Sequence, residues 1–153
     1  MSHVHYFAND WSLISATRAQ FANKNLDSSA RMSLGGPSGV RGFPVSEASG
    51  DEGLFASVGL ARPVGERLNA GAFVDWGRIH INESGTPAVA ATPNWYNLAA
   101  TGINAEWRFA DNAAMSFVVA RPITGNPGAD ANGRNADGKE RGTRAWLSIS
   151  ANF

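Results

Sequence analysis

Leu34-Gly35-Gly36-Pro37-Ser38-Gly39-Val40-Arg41-Gly42-Phe43 is the stretch on which the reading of this chain turns. Glycines at 35, 36, 39 and 42, with Pro37 among them, describe a backbone that turns sharply or lies close against another surface. Arg41 is the one group in the run that cannot lose its charge. A permanent charge on a glycine-rich loop asks for a partner. The flanking sequence supplies walls of β-structure in which to look for one.

Downstream, Leu54 to Arg62 alternates, with Leu54, Ala56, Val58 and Leu60 apolar against Ser57, Gly59 and Ala61. After the turn signal Pro63-Val64-Gly65-Glu66-Arg67, Leu68 to Ile81 places Leu68, Ala70, Ala72, Val74 and Trp76 on one face. The opposite face carries Asn69, Gly71, Phe73, Asp75 and Gly77. Leu98 to Phe109 sends Ile103, Ala105, Trp107 and Phe109 one way and Gly102, Asn104, Glu106 and Arg108 the other. Ala113 to Ile123 and Thr143 to Phe153 repeat the pattern, through Met115, Phe117 and Val119, then Ala145, Leu147, Ile149, Ala151 and Phe153. Upstream, Trp11, Leu13, Ala19 and Phe21 oppose Ser12, Arg18 and Gln20, and His3 to Ala8 is the end of one further strand.

The connections sort by length. Residues 63–67 and 110–112 are tight turns, whereas 23–53, 84–97 and 124–142 are long. Outer-membrane barrels have this asymmetry, short turns at the periplasmic end and long loops outside. Aromatics gather towards strand ends (Trp11, Phe21, Trp76, Trp107, Phe109, Phe153), as an interfacial girdle requires.

Composition narrows the function classes. Thirteen basic and thirteen acidic residues cancel, which gives no electrostatic footprint for nucleic acid. Cysteine is absent, so this chain offers no thiol nucleophile and no thiolate metal site. Seventeen glycines suit an all-β chain, and no apolar run reaches the ~18 residues of a spanning helix. There is no Gly-x-Ser-x-Gly elbow, no phosphate-cradling loop and no Rossmann spacing, so an enzyme is not expected. His3, His5 and His80 lack ligand-like spacing, and the 126–142 loop does not fit a calcium-binding hand; no metal and no cofactor are expected.

Asn25-Leu26-Asp27-Ser28-Ser29, Leu34-Gly35-Gly36 with Val40-Arg41-Gly42-Phe43, and Glu47-Ala48-Ser49-Gly50-Asp51-Glu52-Gly53 together resemble the C-terminal barrel region of the haemolysin secretion/activation proteins. These are the outer-membrane transporters of two-partner secretion. Val40, Arg41, Gly42 and Phe43 resemble the superfamily's motif at the tip of a loop folded into the lumen. Phe73, Asp75 and Gly77 resemble the matching motif on the inner wall, and Phe153 the assembly-signal residue of outer-membrane barrels.

The resemblance implies an all-β fold: an antiparallel transmembrane β-barrel segment, the last six strands or so of a sixteen-stranded barrel, with residues 23–53 as the long inward-folded loop. It implies residues 1–153 are the C-terminal part of that barrel, without periplasmic domains, in a fragment, a truncated frame or part of a split transporter. It also implies an outer-membrane location in a Gram-negative bacterium, with lipid and the barrel-assembly machinery as partners. The implied activity is translocation, with or without activation, of an unfolded exoprotein of the haemolysin or filamentous-adhesin type. Arg18, Gln20, Asn104, Glu106 and Arg108 are then expected to line the lumen, and Arg41 to pair with Asp75. A soluble or surface-exposed antiparallel β-domain used for adhesion is the alternative, in which Arg41 and Asp75 are unrelated solvated charges.

Overall fold

In the computed structural model, residues 1–85 and 92–152 are described. Phe153 and its role as an assembly signal lie outside them, as does part of the expected 84–97 loop. The chain is all-β. The strands are β1 (Ser2–Tyr6), β2 (Ser12–Gln20), β3 (Met32–Ser33), β4 (Ser49–Gly50), β5 (Glu52–Val64), β6 (Leu68–His80), β7 (Trp95–Ala110), β8 (Ala113–Pro122) and β9 (Arg144–Ala151). Seven form one sheet in the order β1-β2-β5-β6-β7-β8-β9, every pair antiparallel, with β1 and β9 at its edges. The sheet does not close among the described residues. The six strands and the stub expected from the alternation are all present, and the stub is β1.

The two faces follow from register. Val58, Val74 and Thr101 stand in one cross-strand row, and Leu60, Ala72, Ile103, Val119 and Ala145 in the next, so the alternating apolar positions of successive strands share one face. That face has no protein over it: Val58 and Val74 are each 50 % exposed, Ile103 61 %, and Leu147 and Ile149 63 %. The other face bears the rows Ser57-Asp75-Ala100-Pro122 and Gly59-Phe73-Gly102-Ala120-Arg144. It is covered by the chain between β2 and β5.

The core therefore lies between one sheet face and a folded-back connection. Met32, Leu34, Val40, Phe43 and Ala48 from the connection pack on Phe55, Ile79, Tyr96, Leu98 and Ala100 of the sheet. Burying a large apolar side chain contributes about 1.5–3 kcal/mol, and Leu34, Val40 and Phe43 are wholly buried. In effect the glycine-rich segment is the second layer that every sheet needs.

Several boundaries differ from the sequence expectation. The 23–53 segment is not wholly irregular, since β3 and β4 pair within it as Met32↔Gly50 and Ser33↔Ser49. Two-residue strands are too short for alternation to betray. Pro63 and Val64 belong to β5 rather than to the turn, which is residues 65–67. A proline is tolerated there because β2 stops at Ser12↔Ala61, leaving Pro63 a neighbour on β6 alone. Trp95, Tyr96 and Asn97, expected in a loop, open β7 opposite His80, Ile79 and Arg78. Phe7 and Ala8 fall in the turn after β1, where Asn9 and Asp10 take the left-handed φ of 62° that these residue types tolerate.

Candidate functional site

The loop tip and the sheet meet through one carboxylate. Asp75 lies at the centre of β6 with no exposed surface. Its Oδ2 accepts from the Arg41 backbone N–H at 3.0 Å and from Arg41 Nε at 2.8 Å, while Oδ1 accepts from Arg41 Nη2 at 2.7 Å. Ser57, its cross-strand neighbour on β5, donates its hydroxyl to Oδ1 at 2.7 Å and accepts from Arg41 Nη2 at 3.1 Å. Four donors thus converge on one buried carboxylate, and the fork of the guanidinium meets it in the two-point geometry that makes charged hydrogen bonds strongest.

The alternate residues of β6 complete the seat. Phe73 lies under the guanidinium, its ring centroid 3.2 Å from Arg41 Cζ, within cation–π range. Gly77 makes room for Leu34: a Cβ at that position would stand 2.7 Å from Leu34 Cδ2. Gly42 does the same on the loop side, where a Cβ would meet Ala100 Cβ at 2.7 Å and Pro122 N at 2.8 Å. Val40 and Phe43, which flank Arg41 and Gly42 in sequence, are wholly buried in the same cluster as Leu34 and Ala100. From the far edge, Trp146 of β9 donates its indole N–H to the Arg41 carbonyl at 2.8 Å. The two sequence motifs at 40–43 and 73–77 are therefore one contact surface.

Residues 1–103 match the family described as haemolysin secretion/activation protein ShlB/FhaC/HecB. The chain belongs to that family. Its members are outer-membrane transporters of two-partner secretion. Among curated relatives, the Heme/hemopexin transporter protein HuxB of Haemophilus influenzae strain 86-028NP is 29 % identical over 157 aligned positions, covering 100 % of this chain and 26 % of the relative. HuxB of strain ATCC 51907 / DSM 11121 / KW20 / Rd matches to the same extent. The chain thus spans about a quarter of the length of the curated relatives it matches.

The residues expected to line a lumen divide into two groups. Arg18 donates to the Ser33 carbonyl at 2.9 Å, and Gln20 to the carbonyls of Ala30 and Asp51 at 3.0 Å, so both brace the folded-back connection. Asn104 is half-buried on the loop-covered face, whereas Glu106 and Arg108 are exposed at its short-turn end. There, with Ser12 and Asn69, Glu106 and Arg108 line an open depression of about 390 Å³. The histidines are scattered: His3 and His5 on β1, His80 at the far end of β6 against Glu52 and Asn94.

Sequence reasoning gave no individual role to Ser57, Trp146, Glu47 or Asp51, although Glu47 and Asp51 lie in a stretch that carries the family resemblance. The available signal for Trp146 was its place on the polar side of β9, between Ala145 and Leu147. Ser57 could be linked to Asp75 only through register. Asp51 organises the approach to the loop: its carboxylate accepts from the N–H of Leu26 at 3.1 Å and of Glu83 at 2.9 Å, with Arg31 Nε 3.1 Å away. Burial pushes its pKa up, but those two amides and Arg31 outweigh burial and leave it below the usual carboxylate value. A lowered pKa stabilises the fold above the unfolded-state value, near 4, and that contribution is lost as pH falls through the folded-state value. Asp51→Asn should accordingly melt roughly 5 °C below the parent at pH 7, and the gap should begin to narrow as pH falls below about 4 and close only below the lowered folded-state value. Thermal melts in detergent across that range check it.

Proposed function

We propose that this chain forms part of the wall of an outer-membrane barrel of two-partner secretion, with residues 23–53 as a loop folded into its lumen, through which an unfolded exoprotein passes. The observation that carries the reading is the contrast between the two faces of one sheet. An apolar face left bare across five central and edge strands would aggregate in water and suits the hydrocarbon of a bilayer. The opposite face, with its buried ion pair and wet short-turn end, suits a lumen. Val40, Arg41, Gly42 and Phe43 then act as the loop tip, and Phe73, Asp75 and Gly77 as its seat. Asn104, Glu106 and Arg108 form the polar wall beside it, while Phe153 serves the barrel-assembly machinery.

The cargo is a secreted exoprotein of the haemolysin or filamentous-adhesin class. The name of the HuxB relatives adds heme/hemopexin to what such an exoprotein handles. Edge strands β1 and β9 cannot stay unpaired in lipid, so further strands of the same barrel complete the wall.

Fractionation of Gram-negative cells expressing the protein that carries this chain tests the assignment. The expected result is recovery in the outer membrane, solubilised only by detergent, with export of a co-expressed exoprotein to the medium. Recovery as a soluble protein without detergent would instead support an adhesion-type β-domain and end the transporter reading.

A further inference from the structure

Glu47 is tied into two loops at once. Its backbone carbonyl accepts from the N–H of Leu34 at 3.2 Å and of Gly35 at 3.1 Å, and from the Ser33 hydroxyl at 3.2 Å, which closes the base of the glycine-rich loop. Its side chain turns the other way. Glu47 is only 4 % exposed, and its Oε2 accepts from the backbone N–H of Ala136, in the connection between β8 and β9, at 2.8 Å. A buried carboxylate deprived of that donor would lose its compensation for leaving water.

The residues on either side of Glu47 are strained. Ser46 and Ala48 hold φ of 66° and 55°, in the left-handed region that residues other than glycine seldom enter. Such strain persists only where surrounding contacts enforce it. The donor is equally well fixed. Asn135, itself buried, accepts from Asn126 Nδ2 at 2.9 Å and gives its N–H to the Lys139 carbonyl at 2.8 Å; its own carbonyl receives the Gly138 N–H at 2.8 Å. That turn presents the Ala136 N–H to Glu47.

We infer that Glu47 is a clasp, a positioning residue through which the 123–143 connection holds the glycine-rich loop on the sheet. Loosening the 123–143 connection then releases Leu34 to Phe43 at its base, independently of the Arg41–Asp75 contact at its tip. Backbone strain at 46 and 48 relaxes in the same step, which favours opening as a unit. The clasp rests on the transporter reading only for its use, clearing the lumen face for cargo.

The chain has no cysteine and Val40 has no exposed surface, so Val40→Cys, with any cysteine elsewhere in the complete protein replaced, reports opening by its labelling rate with a hydrophilic maleimide. The experiment uses the complete protein in the outer membrane, with heat-modifiable gel mobility confirming that each variant is folded. Adding Glu47→Ala, or Asn135→Ala at a distance from the loop, should raise the rate roughly tenfold or more, as expected for loss of a hydrogen bond to a charged group. Glu47→Gln keeps an acceptor oxygen and should stay within about threefold of the parent. Ala48→Gly, which relieves strain in the closed form, should label more slowly than the parent. Parental rates in both Glu47→Ala and Asn135→Ala overturn the clasp. Fast labelling with unaltered export upholds the clasp and counts against its use in clearing the lumen, whereas fast labelling in a protein that exports no exoprotein upholds the clasp and counts against the transporter reading alone.

Discussion

Asp75→Ala should free residues 34–43 from the sheet while leaving the strand ladder intact. The substitution leaves Arg41, whose side chain is 18 % exposed, with the Ser57 hydroxyl as its hydrogen-bond partner among the described residues and the Phe73 ring beneath it. Removing one partner of a buried pair costs about 3–5 kcal/mol, mostly the penalty of the charge left behind. Partial access of water to Arg41 places the cost towards the lower end of that range. Either value exceeds what any one remaining hydrogen bond of the loop contributes, about 1 kcal/mol, and cancels much of what burial of Leu34, Val40 and Phe43 supplies, which shifts the loop towards release. The β5–β6–β7 ladder does not depend on the carboxylate, because its bonds run between backbones. The expected result is therefore a protein that still inserts, becomes sensitive to protease within 34–43, and exports less cargo. Arg41→Lys should fall between parent and Asp75→Ala, since an ammonium cannot make the two-point contact. Arg41→Ala combined with Asp75→Ala should cost less than the sum of the two, because the interaction is lost only once. A loop that stays protected in Asp75→Ala would show that the carboxylate does not hold it.

Much of this arrangement was legible in the residues, and the part that was not shares one cause. Period-two alternation placed Val58, Val74, Ile103 and Leu147 on one face because a pleated strand exposes alternate side chains regardless of what surrounds it. Arg41 was legible because a charge in a glycine run has no local partner, and Asp75 as its partner because the 73–77 motif on the polar side of β6 resembles the family's matching wall motif. Ser57, Trp146 and Glu47 were not. Ser57 reaches Asp75 only through the register Ser57↔Asp75, and Glu47 reaches Ala136 across 89 positions of sequence. Such contacts are set by how strands slide and loops fold back, and neither quantity is encoded in local spacing. The β3–β4 pair escaped for the same reason. Strand ends shifted by a few residues wherever a longer neighbour, such as β6 opposite Pro63 and Val64, continued the pairing past a turn-forming sequence.

Gly42→Val should displace the loop tip without touching either charge. A Cβ at position 42 would lie 2.7 Å from Ala100 Cβ, 2.8 Å from Pro122 N and 3.0 Å from Arg121 C. Pro122 and Ala100 are cross-strand partners in the β7–β8 ladder, so the obstruction is largely backbone and cannot swing aside. The loop must yield instead. Lifting it by even an ångström takes the Arg41 N–H, now 3.0 Å from Asp75 Oδ2, beyond hydrogen-bonding distance, and pulls the Arg41 carbonyl away from Trp146. Overpacking of this kind costs about 1–3 kcal/mol before those losses are counted. The variant should therefore approach the protease sensitivity of Asp75→Ala with its ion-pairing groups intact. Gly125→Ala is the matched control, because no atom lies within 4 Å of a Cβ there, and it should fall within about 0.5 kcal/mol of the parent. The decisive comparison is the double variant. If contact geometry and charge act through the same seat, Gly42→Val added to Asp75→Ala should change little, since the tip has already left the sheet. A fully additive loss would mean that the tip has a second site of attachment, and that the seat formed by Phe73, Asp75 and Gly77 is only part of what holds it.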